Sequence, residues 1–254
     1  MNRTDKLIGI VVALPEERMA LVKRLKQVKR RTIDSIPFYS GILSNRNVCV
    51  VEGGMGAISA TRASRLLLSG FKPVLVISSG FCGALRQGAK VADMVICKRL
   101  FFHNESGIED VALPGGDMVA GRLSAELQSK GIRTWQGSFI TTDRIVKKSS
   151  LSESLPADLA TPVLEMETAS VALAAGSAGV PFLGLRVVSD DASEELGFSL
   201  AELTDEQFRI SIPRVLLTCL KKPRIIPQLA RLAANSGKAG KALGVALEQI
   251  VPIL

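Results

Sequence analysis

Two stretches of this chain place acidic side chains among hydrocarbon. Leu164-Glu165-Met166-Glu167-Thr168-Ala169 is followed by Leu185-Arg186-Val187-Val188-Ser189-Asp190. An ionised carboxylate is costly to bury unless it is paired or hydrogen-bonded. Glu167 and Asp190 therefore either sit in solvated turns at element ends or have specific partners in a functional site. A third carboxylate, Glu17, follows another apolar run and Pro15-Glu16. Three carboxylates can divide labour: one acts as an acid, one as a base, and one binds a hydroxyl. Other chemistries fit less well. His103 is the single histidine, which excludes a multi-histidine metal centre, and it reads as a satisfied structural imidazole. No Gly-x-Ser-x-Gly elbow is present, which argues against a Ser–His–Asp hydrolase.

The elements that must position these groups follow from the pattern of apolar runs. Residues 7–13 read as a buried strand and residues 16–28 as a helix with Pro15 at its start. Residues 38–43 and 47–51 read as strands, leading to Gly53-Gly54-Met55-Gly56 and a small-residue helix over 57–68. A strand over 74–77 runs into Ser78-Ser79-Gly80-Phe81-Cys82-Gly83-Ala84-Leu85, which reads as a glycine-bearing strand-to-helix turn. Residues 92–96 read as a strand, 101–118 as a loop and 124–130 as a helix. Residues 134–142 read as a strand entering a turn at Asp143. Residues 149–162 are polar and turn-prone, and read as a mobile flap. A strand entering Met166, a helix over 168–175 and a strand over 182–188 complete the pattern. This alternation predicts an α/β fold with a mainly parallel sheet.

In such sheets ligands bind at the carboxyl ends of the strands. Glu17, the 53–56 loop, the 80–83 loop, the Asp143 turn, Glu167 and Asp190 each follow a predicted strand, so six points converge on one edge. Gly54-x-Gly56 is half of a dinucleotide fingerprint. Its third position is Ser59, and no clear acid ends the next strand, which weakens that reading. Two alternatives stay open for this turn: backbone N–H groups presented to an anion or hydroxyl, or a close helix–strand crossing.

The 254 residues are 47% hydrophobic but only 4% aromatic, which points to an aliphatic core of the kind found around buried parallel strands. Cys49, Cys82, Cys97 and Cys219 are widely spaced and contain no Cys-x-x-Cys. They suggest reduced thiols and a cytoplasmic protein. The first apolar run ends at once in Pro15-Glu16-Glu17 without a small-residue cleavage site, so it reads as a strand rather than a signal peptide. No run is long and clean enough for a membrane span. The net charge is +8, and it is concentrated in the tail. From Gln207 onward Arg209, Arg214, Lys221, Lys222, Arg224, Arg231, Lys238 and Lys241 face the single acid Glu248. A basic tail on a near-neutral body suggests a local partner. It lacks the aromatic interleaving expected of a nucleic-acid-binding surface.

The order Ala13-Leu14-Pro15-Glu16-Glu17, Gly54-Met55-Gly56, Gly80-Phe81-Cys82-Gly83-Ala84-Leu85, Thr142-Asp143, Glu165-Met166-Glu167 and Arg186-Val187-Val188-Ser189-Asp190 resembles the nucleoside phosphorylase superfamily. Within it the chain looks most like the methylthioadenosine/S-adenosylhomocysteine nucleosidases. The resemblance covers roughly residues 7 to 205. It implies a three-layer phosphorylase-type fold with a central mixed, mainly parallel sheet flanked by helices. It also implies cleavage of the N-glycosidic bond of a purine nucleoside without a cofactor or metal. By the same resemblance Asp190 is the acid at purine N7, Glu167 grips the ribose hydroxyls, Met166 packs on the sugar, and Glu17 activates water. Val146 marks a position whose backbone reads the adenine edge. Gly56, Phe81, Gly83, Ile145, Arg186 and Ser189 line the substrate site. A homodimer or higher homo-oligomer is implied, with residues 101–118 contributing to a neighbour's pocket.

The departures carry information. Ile145 stands where the family stacks an aromatic ring on the base, leaving Phe81 as the alternative. Phe81 replaces a frequent Ser, and Ser78 stands where some members present a phosphate-binding Arg, so water is favoured over phosphate as acceptor. A phosphorylase and a non-catalytic nucleoside-binding protein remain the alternatives. The tail resembles that of the hopanoid-associated phosphorylases, which implies adenosylhopane as substrate. Two domains are expected, a catalytic domain over 1–206 and a basic, apolar helical extension over 207–254. Residues 209–220 read as a helix packed on the core, and the segment after Lys221 as an amphipathic surface for a lipid-linked substrate or the inner membrane face.

Overall fold

The computed structural model describes residues 6–115, 118–192 and 212–254. The expected domain boundary at residues 206 and 207 lies outside them, as does Arg209. Ten strands form one mixed sheet: β1 (Ile8–Val12), β2 (Lys26–Ile33), β3 (Ile36–Leu43), β4 (Arg46–Glu52), β5 (Leu75–Ala84), β6 (Met94–Asn104), β7 (Gly107–Val111), β8 (Thr134–Thr142), β9 (Val163–Glu165) and β10 (Phe182–Asp190). The pairs β1/β4, β1/β5, β5/β10, β6/β8 and β8/β9 run parallel. The pairs β2/β3, β3/β4, β5/β9, β6/β7 and β6/β10 run antiparallel. Because β5 pairs with β1, β9 and β10, the sheet closes on itself around β5, β9, β8, β6 and β10 and extends through β1 and β4 to the β2 edge.

Helices cover both faces, as expected for the three layers. On one side α1 (Pro15–Val22), α3 (Met118–Ser129) and α7 (Ile226–Ile250) close a core containing Ile10, Leu21, Ile77, Ile96, Leu127, Leu185, Leu243 and Leu247. On the other, α2 (Ala57–Phe71) and α5 (Thr168–Ser177) bury Ala60, Ala63, Leu67, Val171 and Ala172 against Val11, Val51, Val76 and Phe139. A smaller cluster of Leu85, Phe101, Ile140, Leu151, Leu155 and Leu159 lies beneath α4 (Lys148–Ser154).

Several expectations are corrected. The first helix ends at Val22, and residues 26–33 form the exposed edge strand β2. Its Lys26, Lys29, Arg30 and Arg31 suit a sheet edge, where charges discourage pairing with another chain. Residues 78–84 are not a turn: β5 continues to Ala84. The 101–118 loop holds the end of β6 and a tight hairpin into β7, with Gly107 at φ 125°. The expected flap is anchored: Leu151, Leu155 and Leu159 are buried, and Arg86 donates to the carbonyls of Leu155, Pro156, Ala157 and Leu159 at 2.9–3.4 Å.

The tail divides within the segment expected to face lipid, and Arg209 to Ser211 of the segment expected to pack lie outside the described residues. Helix α6 (Ile212–Lys221), expected to pack, leaves Leu217 and Leu220 exposed. Ile225, Val215, Leu229 and Leu232 form a small local cluster. The second half of α7, in the segment expected to face lipid, buries Ala239, Leu243, Ala246, Leu247 and Ile250 in the main core. Arg24 pairs with Glu248 across the α1/α7 crossing. At that crossing a Cβ on Gly244 would lie 2.7 Å from the Ala20 carbonyl oxygen, whereas one on Gly237 would meet nothing within 4 Å.

Gly244→Ala is therefore expected to lower stability by about 1–3 kcal/mol through overpacking. Gly237→Ala, in the same helix, is expected to raise it by about 0.5–1 kcal/mol through backbone entropy. Paired urea melts read the difference, and equal effects would show that α7 does not dock as described.

Candidate active site

Arg186 projects from β10 and is only 2% exposed, the largest of the fully buried side chains. Its Nη2 donates to Glu165 Oε2 at 2.7 Å and to Ser78 Oγ at 3.1 Å, and lies 3.7 Å from Glu167 Oε2. A guanidinium at this depth requires paired, hydrogen-bonded partners.

Glu165 ends β9 and is saturated. Its Oε2 also accepts the Glu167 and Thr168 N–H groups at 3.0 and 2.7 Å and the Thr168 hydroxyl at 2.6 Å, while Oε1 accepts the Thr141 hydroxyl. Burial pushes its carboxyl up, but Arg186 and these donors outweigh burial and hold it below its ordinary value. Glu167, at the start of α5, differs. Its side chain is 13% exposed against 1% for Glu165, so it alone of the two is reachable. Its Oε1 accepts the Gly56 N–H at 2.9 Å. Gly56 has φ 86°, a conformation that glycine adopts at little cost. Burial and then the Glu165 carboxylate push Glu167 up to about 7.

Glu17 faces the same guanidinium from α1. Its Oε2 accepts the Ala13 and Leu14 N–H groups, both at 2.9 Å, and Oε1 accepts the Phe81 N–H at 2.8 Å. Burial raises its carboxyl against the opposing pull of Arg186 and those N–H groups. Strand β5 passes close by: a Cβ on Gly80 would lie 2.5 Å from Glu17 Oε1. At the far end of the cleft Asp190 stands opposite Gly83 in register, where a Cβ would lie 2.7 Å from Asp190 Oδ2. Its Oδ2 accepts Lys148 Nζ at 2.7 Å and its Oδ1 accepts the Ser189 hydroxyl at 2.9 Å.

One buried cation is thus surrounded by three carboxylates, with a fourth paired to a lysine on the same sheet edge. The arrangement can stabilise developing positive charge, hold hydroxyls, and supply both a base and an acid.

The sequence profile of the phosphorylase superfamily matches residues 7–221. The chain belongs to the phosphorylase superfamily. It is similar to a 5′-methylthioadenosine/S-adenosylhomocysteine nucleosidase of Staphylococcus aureus, 28% identical over 217 residues, 80% of this chain and 92% of that protein. In three dimensions it resembles the S-adenosylhomocysteine nucleosidase of Streptococcus pyogenes in complex with 5-methylthiotubericidin. That likeness has a TM-score of 0.75 at 19% identity and covers 100% of this chain and 99% of the other. It also resembles futalosine hydrolase of Helicobacter pylori, with a TM-score of 0.72 at 19% identity over 100% of both chains. These structures share its fold.

The structure of this superfamily member brings together Glu17, Gly56, Glu167, Arg186 and the N–H of Phe81, and a second group of Gly83, Ser189 and Asp190. Met166 is half-buried between the two glutamates. The Phe81 ring leans on α7: a Cβ on Gly240 would lie 3.7 Å from its Cζ. Ile145 is half-buried ahead of α4, Val146 packs on the cluster beneath α4, and Asp143 is exposed. In the Gly54-x-Gly56 turn the Gly56 N–H is taken by the chain's own Glu167. The close helix–strand approach is one residue earlier, where a Cβ on Gly53 would lie 2.8 Å from the Ala63 Cβ, while one on Gly54 would meet Ser59 at an ordinary 3.5 Å. Sequence reasoning assigned no role to Glu165, Thr141, Thr168 or Lys148. Glu165 was visible as the first acid of its motif, whereas Lys148 was hidden in the Arg144–Lys148 charge run.

The raised Glu167 carboxyl has a stability consequence. Between its ordinary value of 4.5 and about 7 the folded chain keeps a proton that the unfolded chain has lost. This group therefore makes stability fall as pH rises through that window. Glu167→Gln is expected to flatten the fall in urea midpoints between pH 5 and 7. An unchanged slope would contradict the assignment.

Proposed function

We propose that this chain cleaves the N-glycosidic bond of a 5′-substituted adenosine, releases adenine, and uses water as the acceptor. The observation that carries the reading is the ring of Glu17, Glu165 and Glu167 around Arg186, the one cation among the described residues that faces all three. Such a site favours a sugar that gains positive charge as the bond breaks. It disfavours a phosphate dianion, which would meet three carboxylates for one guanidinium. The names of the relatives, nucleosidases and a futalosine hydrolase, point the same way.

Asp190 delivers a proton to purine N7, which turns adenine into a better leaving group. Glu167, open to the cleft, holds the ribose hydroxyls and stabilises the oxocarbenium-like transition state. Met166 supports the sugar face. Glu17 is oriented by three backbone N–H groups and made more basic by burial, and it takes the proton of the attacking water. Backbone groups around Val146 read the adenine edge, with Ile145 beside the base, while the Phe81 ring is engaged by α7.

The 5′ substituent is the finer part of the proposal. Leu217, Leu220 and Ile226 are exposed next to Lys221, Lys222 and Arg224. That apolar, basic surface suits a large lipid group such as the hopane of adenosylhopane, presented at a membrane face. No helix among the described residues is long and apolar enough to cross a membrane. A homodimer fits the exposed Ile58 and Leu173 on the adjoining helices α2 and α5.

Adenine release should be followed chromatographically with methylthioadenosine and with an adenosine bearing a bulky apolar 5′ group. Asp190→Asn is expected to lower kcat by about 10²–10⁴-fold with the fold intact. Preference for the bulky substrate supports the lipid reading, and equal use of methylthioadenosine removes it. Full activity of Asp190→Asn would refute the acid assignment. A chain that binds adenine but releases none from either substrate is a binding protein.

A further inference from the structure

We infer that Lys148 is the proton source for the leaving purine, acting through Asp190. The inference rests on the glycosidic reading above and concerns how its acid is charged. Purine N7 is a hydrogen-bond acceptor, so a carboxyl group facing it must carry a proton. Asp190 is held as a carboxylate by its ion pair: its Oδ2 accepts from Lys148 Nζ at 2.7 Å. Its Oδ1 lies 2.9 Å from the Ser189 hydroxyl, whose one proton is shared with the Cys82 carbonyl at 3.3 Å. A carboxylate paired with an ammonium is the ionised form. Of its two neighbours the serine hydroxyl is far too weak an acid to give up its proton, which leaves the ammonium of Lys148.

The surroundings fix this lysine in place. It is the first residue of α4, which Leu151 anchors in the cluster beneath it and Ser152 ties to the residue just after β5 by donating to the Leu85 carbonyl at 2.9 Å. Its Nζ also donates to the Asp191 carbonyl at 2.7 Å. Its side chain is 14% exposed, and its Cδ would lie 3.2 Å from a Cβ on Gly83. The same glycine gives room to Asp190 Oδ2, so one position of β5 accommodates both partners.

The step balances as follows. The C1′–N9 bond breaks heterolytically and its electron pair enters the purine ring. N7 takes a proton from the Asp190 carboxyl, and that carboxyl is filled by a proton from the Lys148 ammonium. Lys148 is left as a neutral amine, which solvent reprotonates after adenine leaves. Asp190 ends the step as the carboxylate it began as, and Lys148 never touches the substrate. Lys148 is thus a positioning residue that also supplies the proton.

Variants separate this role from simple charge pairing. Arginine can pair with Asp190 but does not release a proton at working pH. Lys148→Met and Lys148→Arg are each expected to lower kcat for adenine release by at least about 100-fold, the scale of a lost proton-transfer group, with KM changed much less. Methylammonium added to Lys148→Ala should restore rate in the same preparation, while tetramethylammonium, which has the charge but no N–H, should not. That comparison holds whether or not a variant is less stable. Near wild-type kcat in Lys148→Arg or Lys148→Met, or equal rescue by both cations, would overturn the inference. Wild-type enzyme that releases no adenine would instead overturn the functional reading on which it stands.

Discussion

The buried pair between Arg186 and Glu165 is the contact on which the site depends. Their side chains are 2% and 1% exposed, and they come from β10 and β9, which flank β5 on opposite edges. Two charges removed this far from water gain little net stability from each other, but removing either partner strands the other at a cost of about 3–5 kcal/mol. The pair therefore acts as a specification. It fixes the end of β9, and through Thr168 it fixes the first turn of α5, where Glu167 begins its exposure to the cleft. The Thr141 and Ser78 hydroxyls complete the network from β8 and β5.

Its charge also shapes the chemistry. Glu165 uses most of the available guanidinium, so Glu17 and Glu167 share what is left of one positive charge. Burial raises both carboxyls, the neighbouring Glu165 carboxylate adds to the rise of Glu167, and the shared guanidinium offsets only part of it; backbone N–H groups hold both side chains in place. In the proposed reaction such a site would favour a cationic sugar and a neutral water over a phosphate dianion. The glycines of β5 make this geometry possible, since a side chain at Gly80 or Gly83 would displace Glu17 or Asp190.

Much of this was readable from residue types. The strand over 134–142 lies where it was expected, and the carboxylates were conspicuous because they interrupt apolar runs. Glycine was the misleading signal. Gly80 and Gly83 suggested a turn, yet they serve close approach within a continuous strand. Residues 26 to 28 read as the end of the first helix because Leu21, Val22, Leu25 and Val28 fall at helical spacing, a pattern that a short edge strand also satisfies. Lys148 lay in a run of surface cations, and its partner is 42 residues away, so only the folded chain reveals the pair. In the tail the same apolar spacing served for packing and for exposure. Small residues such as Ala239, Gly240 and Gly244 decided which half could dock closely.

One guanidinium among three carboxylates should select water over phosphate in the proposed reaction. Running it in ¹⁸O-labelled water with saturating phosphate and analysing the sugar product by mass spectrometry distinguishes the two acceptors. The expected product is a free sugar carrying the label at C1, with no sugar 1-phosphate. Accumulation of an unlabelled sugar 1-phosphate would contradict it.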